Sequence, residues 1–324
     1  MGTFIVRRTL WTLLVLISIS VLVFLLFFSI PGIDPAVAMA GRNPDPATIR
    51  AISHAFGLDR ALPIQYLLMM KHLFVTRDLQ SYTNQGIRVI PEIAAAAPVT
   101  LSLVAGAVVL WLVFSIGIGL VAAVFRGRAI DRILMILGLI GIATPSFLLG
   151  EAANIVTQSK LHDTPLFHWV PPLGYTPLSQ DPVMWFKHLI IPWVVLASAQ
   201  FIGLYSRILR SSLLDVMHED YVRTARAKGL SERRVLIRHV LRTSMITFVS
   251  LFGLDLGSLV GGGVVLIEVV FALPGVGLLT FQAASGLDLP VIMATIMYGA
   301  FFIVLANLLV DIGYTWLDPR IRPA

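Results

Sequence analysis

The sequence predicts an all-α polytopic membrane protein with six transmembrane helices and both termini in the cytoplasm, and three observations lead there. Of its 324 residues 57% are hydrophobic and 13% charged, where a soluble chain carries about 25% charged residues. The apolar residues gather in uncharged runs long enough to cross a bilayer, for which about 20 residues suffice. Most of the 24 lysines and arginines flank those runs on alternate sides, as they do where cytoplasmic loops retain them. A water-soluble enzyme is excluded. The absence of cysteine excludes disulfides, Cys-ligated zinc, iron-sulfur clusters and thiol catalysis.

The first span is the run Thr9 to Ile33, between Arg8 and Asp34. Ala36-Val37-Ala38-Met39-Ala40 behind it could pass for a signal-peptidase site. The run is longer than the roughly 7–15 residues of a signal h-region, so an uncleaved helix is favoured. With its short tail it forms a first unit, 1–31. An extracytoplasmic segment, 32–95, follows, with turn signals at Pro44, Pro46 and Pro63 and an amphipathic stretch Ile64 to Phe74; short helices at the membrane face are expected. Span two is Ile93 to Phe125, closed by Arg126 and Arg128, and span three runs from Ile133 past Glu151 to Ser159. The loop Lys160 to Lys187 holds five prolines, from Pro165 to Pro182, with Trp169 and Trp185. It reads as irregular structure with interfacial anchors. Span four, His188 to Ser206, runs into Arg207 and Arg210; span five extends from Thr243 past Asp255 and Gly261-Gly262-Gly263 to about Ala272; span six is Leu289 to Val310. These make a core, 96–314, ahead of a cytoplasmic tail, 315–324. Arg7 and Arg8, then Arg126, Arg128 and Arg132, then the cluster from Arg207 to Arg242, then Arg320 and Arg322 all fall on one side, which is therefore inside.

No G-x-x-x-x-G-K-[ST] loop is present, so any ATP must be handled by another chain. No H-E-x-x-H or G-x-S-x-G occurs, and His162 and His168 read as ordinary loop histidines. The longest inner loop, 211–243, reads as two short helices with a tight turn: Asp215 to cap the first, Gly229 to end it in a left-handed conformation, Ser231 to cap the second. The second helix sets Val235, Leu236, Val240 and Leu241 apart from Arg233, Arg234, Arg238 and Arg242, an amphipathic basic element suited to anionic membrane lipid. Its ends are tethered to the membrane, which disfavours a DNA-reading helix-turn-helix, and no nucleic-acid partner is expected.

Within this loop, Asp220-Tyr221-x-x-x-Ala225-x-Ala227-Lys228-Gly229-Leu230 resembles the E-A-A-x-x-x-G signature of ABC importer permeases in its peptide-importer form. Arg223 stands where the signature has Glu, Thr224 where it has the first Ala, and Thr247 where the family has a later proline. Phe56-Gly57-Leu58-Asp59-Arg60-x-Leu62-Pro63-x-Gln65-Tyr66, Pro274-Gly275-x-Gly277, Asn307-Leu308-Leu309-Val310-Asp311 and Asp318-Pro319-Arg320 are similar to the B-type permease subunit of oligopeptide and dipeptide importers. The resemblance implies a type I ABC importer permease fold in the cytoplasmic (inner) membrane. It implies a hairpin (Asp220, Tyr221, Arg223, Ala225, Ala227, Lys228, Gly229, Leu230) that docks on ATP-binding subunits. Implied partners are a C-type permease, two ATP-binding subunits or a fused pair, and an extracytoplasmic peptide-binding protein, with ATP and Mg on those subunits and no cofactor or metal on this chain. Rival readings are an importer of nickel or glutathione, an ion-gradient-driven carrier using Asp255 as its ion site, and a membrane anchor.

Ionisable residues inside spans usually face a cavity or a partner. Asp255 lies 12 residues from Thr243, about 18 Å deep. Glu268 is about 20 Å higher and roughly 220° round an unbroken helix, so the two cannot share one site. Glu268 and Glu151 belong near the outer surface, and all three acids are pathway candidates. Gly253, Gly257 and Gly261 form a small-xxx-small face for a packed helix, from which Asp255 points away. A water-lined cavity or a hydrogen-bonded interface around Asp255 both remain open.

Overall fold

The computed structural model describes residues 2–28, 35–40, 45–55, 57–84, 86–159 and 161–317. Ile33, Asp34, Pro44, Phe56, Lys160, Arg322 and the motif Asp318-Pro319-Arg320, all named above, lie outside the described residues, as do the side chains of Leu309, Val310 and Asp311. The chain begins with α1 (Gly2–Phe28), then α2 (Pro35–Ala40), α3 (Pro46–Ala55) and α4 (Leu62–Phe74). The 75–88 loop returns the chain through an isolated bridge between Gln80 and Arg88. There the Asp78 carboxylate takes the Thr76 hydroxyl and His72 Nδ1, which in that order pull it down to about 2. No strand occurs among the described residues.

Next come α5 (Val89–Val124), α6 (Ala129–Ala143), α7 (Ser146–Gln158) and α8 (Pro182–Leu196). The last continues through a π-helical stretch, Ala197–Ile202, into α9 (Gly203–Val216). After α10 (Asp220–Ala227) a long helix is built from α11 (Glu232–Arg234), a π stretch (Val235–Leu241), α12 (Arg242–Ser258) and another π stretch (Leu259–Gly263). Then follow α13 (Val265–Val270), α14 (Val276–Ser285) and α15 (Leu289–Leu317). Among the described residues four helices are long and apolar enough to cross a membrane, at 89–124, 182–199, 232–263 and 289–308, and α6 with α7 makes a fifth if the bent pair counts as one. α1 is 27 residues long, with its side chains described from Leu10 to Leu26.

Several sequence expectations are corrected. The third run is no straight span: α6 and α7 meet at 101°. Thr144 leaves the helix with ψ 121°, because Pro145 disfavours helical backbone before it and donates no N–H. Pro182 opens a helix instead of lying in an irregular loop, since Asp181 accepts from the Val183 and Met184 N–H groups and proline suits the first helical position. Span four runs ten residues past Ser206, to Val216, so Asp215 is inside α9 and caps nothing. The second helix of the hairpin is not short: it is the beginning of the long helix 232–263. That helix is broken at Gly262, whose φ of 143° only glycine adopts easily.

Trp111 of α5 stands at the centre of the core, stacked on Phe201 and edge-on to Tyr205, with Phe252 tilted beside it. α5 packs along α8 and α9, and α15 packs on α1 and α12. α6 crosses α9 where Gly138 and Gly203 meet backbone to backbone. On α6 the one buried residue is Asp131, while Ile136, Leu137, Leu139 and Ile140 are exposed. Such a helix is inside out by the standard of a soluble protein and suits a lipid surroundings or a partner helix.

Candidate functional site

The hairpin is a platform with one anchored face. Val222 and Ala225, three residues apart on α10, are buried against the chain, while Asp220, Tyr221, Arg223, Ala227, Lys228 and Gly229 are exposed. Tyr221 Oη donates to Thr243 Oγ1 at 3.0 Å, pinning α10 to the long helix behind it. Gly229 has φ +77°, and the Leu230 N–H reaches back to the Ala225 carbonyl. Leu230 is half-buried and turns the chain into α11. Ser231 occupies the cap position, but its backbone carbonyl takes the Arg234 and Val235 N–H groups and its side chain caps nothing. Arg226 bridges the turn to Glu232 at 2.9 Å, and Arg223 approaches Asp220 at 3.4 Å. At exposed sites these pairs shape the platform and contribute little stability.

The three intramembrane acids are kept apart. Asp255 is half-buried and accepts the Tyr205 Oη at 2.6 Å across the α9–α12 contact. Gly257 and Gly261 face α15, where a Cβ would meet Ala306 and Ile303, so the acid and the glycines take opposite sides of one helix. Gly253 is buried on the same helix. Glu268 is fully enclosed: Thr100 Oγ1 donates to it at 2.7 Å and the Leu278 N–H at 2.9 Å, while Thr100 Oγ1 accepts the Val276 N–H at 2.8 Å. Gly275 lies against this carboxylate with no room for a Cβ. Glu268 thereby ties the Pro274–Gly277 turn and the start of α14 to α5. Glu151 is exposed on α7, with no partner among the described residues.

Three further acids matter that the sequence reading passed over. Asp131 takes Arg210 Nε and Nη2, each at 2.7 Å, and the Gly127 N–H at 2.8 Å, joining α6 to α9 above the hairpin. Both ends of this pair stood in basic flanks and read as topology signals. Asp288, next to the start of α15, accepts the Ser81 hydroxyl and the Tyr82 and Thr83 N–H groups, fastening the 75–88 loop. Glu92 opens into a groove between α5, the 175–177 loop and α14. Among the described residues no group of His, Asp or Glu is arranged to hold a metal ion.

Comparison with known proteins gives matching results over both halves of the chain. Residues 115–323 match the family described as binding-protein-dependent transport system inner membrane component, and residues 1–104 match its N-terminal companion. A Brucella abortus protein named as a peptide transport system permease is 38% identical over 322 residues, covering 99% of each chain. The oligopeptide transport system permease protein AppB of Bacillus subtilis is 35% identical, covering 99% of this chain and 100% of its own. The glutathione transport system permease protein GsiC of Salmonella choleraesuis is 35% identical, covering 99% of each.

Proposed function

Since the chain belongs to the family of binding-protein-dependent transport system inner membrane components, we propose that it is one of two permease subunits of an ATP-driven ABC importer for peptides. The observation that carries this is the α10 platform, an exposed short helix anchored by Val222 and Ala225 at the junction of two membrane-length helices. In this reading the platform docks on an ATP-binding subunit, and ATP-driven closure there rocks α9 and the long helix behind it. The chain crosses the cytoplasmic membrane six times with both termini inside. A C-type permease completes the pathway. Two ATP-binding subunits, or a fused pair, hold ATP and Mg and carry out the hydrolysis, and an extracytoplasmic binding protein delivers cargo. Peptide cargo is supported by the names of the Brucella and Bacillus relatives. Glutathione import is the second reading, favoured by the Salmonella relative.

Affinity purification from native membranes tests the assembly, and recovery of ATP-binding subunits with a peptide-loaded receptor is the expected result. Recovery of the chain alone, transporting in response to an ion gradient, would refute it. The peptide or glutathione carried by the receptor decides between the two cargoes. Because the chain has no cysteine, topology is testable with single substitutions. Cysteine at Thr164 or Gly286 should react with an impermeant thiol reagent in sealed cells, and at Arg128 or Ser231 it should not.

A further inference from the structure

We propose that the groove between α5, the 175–177 loop and the start of α14 receives the side-chain ammonium of a lysine in a cargo peptide, with Glu92 as its counter-charge. The proposal rests on the peptide-importer reading. The groove has a volume of about 520 Å³, within the range of roughly 300–1,000 Å³ usual for small-ligand sites. Its walls are mainly apolar, with Val99, Pro274, Leu278 and Leu279, and its polar groups include Tyr175 and Gln282.

The charge pattern points to a cation. Among the described residues Glu92 is the one charged residue lining the groove, and no Lys, Arg or His does so, in a chain whose formal net charge is +6. Its carboxylate is half-buried and has no hydrogen-bond or ion-pair partner among the described residues. Asp288 is near enough to add to the negative field at Glu92, but its own oxygens are taken by Ser81, Tyr82 and Thr83. Apolar walls with a single sign of charge concentrate the field on what enters.

The groove is also held in shape. Pro274 and Gly275 form its rim, and the turn they belong to is fixed from behind by Glu268 and Thr100 through the Val276 and Leu278 N–H groups. A site built this way need not be organised by its ligand. It lies on the side of the membrane opposite the hairpin in the six-span topology, where a peptide leaves its binding protein. Asp255 is a weaker candidate for this role, because Tyr205 already occupies it.

The test uses the complete transporter in proteoliposomes and varies the concentration of its binding protein, preloaded to saturation with Ala-Lys-Ala or Ala-Glu-Ala, so that each KM refers to the loaded binding protein. In Glu92→Gln the KM for Ala-Lys-Ala should rise about tenfold relative to that for Ala-Glu-Ala, the scale of one partly desolvated charge pair. Glu92→Cys modified with an anionic thiosulfonate should restore the wild-type ratio, and a cationic thiosulfonate should not. If wild-type vesicles import neither peptide, the importer reading itself fails. If they import both and the Glu92→Gln ratio stays at the wild-type value, the groove proposal is overturned and the importer reading stands. Failure of both variants to assemble overturns the proposal too, since Glu92 is then a packing residue.

Discussion

Asp131→Asn will separate the charge of the α6–α9 bridge from its shape. The wild-type carboxylate meets Arg210 in two parallel bonds of 2.7 Å, with side-chain exposures of 5% for the acid and 25% for the base. Asparagine keeps an oxygen for the Gly127 N–H but turns one of the two acceptors into a donor facing a guanidinium. Losing one partner of a buried pair costs about 3–5 kcal/mol. The quarter exposure of Arg210 lets it find water, so about 2–3 kcal/mol is expected here. Arg210→Met keeps the aliphatic stem and removes the charge. The double mutant should be less destabilised than the two singles together, with a coupling of about 2 kcal/mol. Reversible SDS titration of the chain in bicelles measures all three. A coupling under about 0.5 kcal/mol is what a loose surface pair gives, and it would refute the assignment of this bridge as a joint between the two helices.

At Gly229 a Cβ meets nothing within 4 Å, so only the left-handed backbone opposes substitution. Gly229→Val is expected to abolish uptake and weaken association with the ATP-binding subunits at about 1–3 kcal/mol of local strain, while Gly229→Asn retains most of both in a pull-down and uptake assay. A Cβ at Gly261 would stand 2.5 Å from Ile303 and 3.1 Å from the Gly299 carbonyl, whereas one at Gly117 meets nothing. Gly261→Ala should cost about 1–3 kcal/mol in SDS titration, and Gly117→Ala nothing or a slight gain. Tyr205→Phe strips Asp255 of its donor. If that bond holds α9 to α12, Tyr205→Phe and Asp255→Asn each lower stability by about 1–3 kcal/mol, and the double mutant is no worse than the more damaging single. Additive losses would mean that the two residues act separately.

What the sequence revealed and what it concealed follow the range of the interactions involved. Spans two and six were legible because an apolar run and a terminating charge are local: Val124 ends α5 just before Phe125 and Arg126, and Leu289 begins α15 as expected. Gly229 was legible too, since a left-handed turn residue leaves a composition signal. The bend at Thr144 was visible only as one proline in a run that otherwise reads straight. The length of the long helix 232–263 was missed because its charged first turns look like a loop, although the backbone continues without interruption into apolar sequence. π-helical stretches at Ala197–Ile202, Val235–Leu241 and Leu259–Gly263 have no dependable sequence signature.

The acids show why site assignment fell behind fold assignment. Position along a span made Asp255, Glu268 and Glu151 alike pathway candidates, yet their surroundings differ in kind. Glu268 is satisfied by Thr100, 168 residues away, and by the turn it holds. Asp288 is satisfied by a loop more than 200 residues earlier, and Asp131 by an arginine 79 residues later. Carboxylates committed in this way brace the fold, with part of their acceptor capacity already taken. Among the described residues Glu92, facing a groove, and Glu151, exposed among Ala152, Ile155 and Val156 on α7, have no such partner. A bare carboxylate turned to hydrocarbon costs about 2.5–3.5 kcal/mol even on lenient scales. The exposed face of α7 at Glu151 therefore meets water or a second subunit. α6, whose exposed large hydrophobic residues are isoleucine and leucine, has no such requirement.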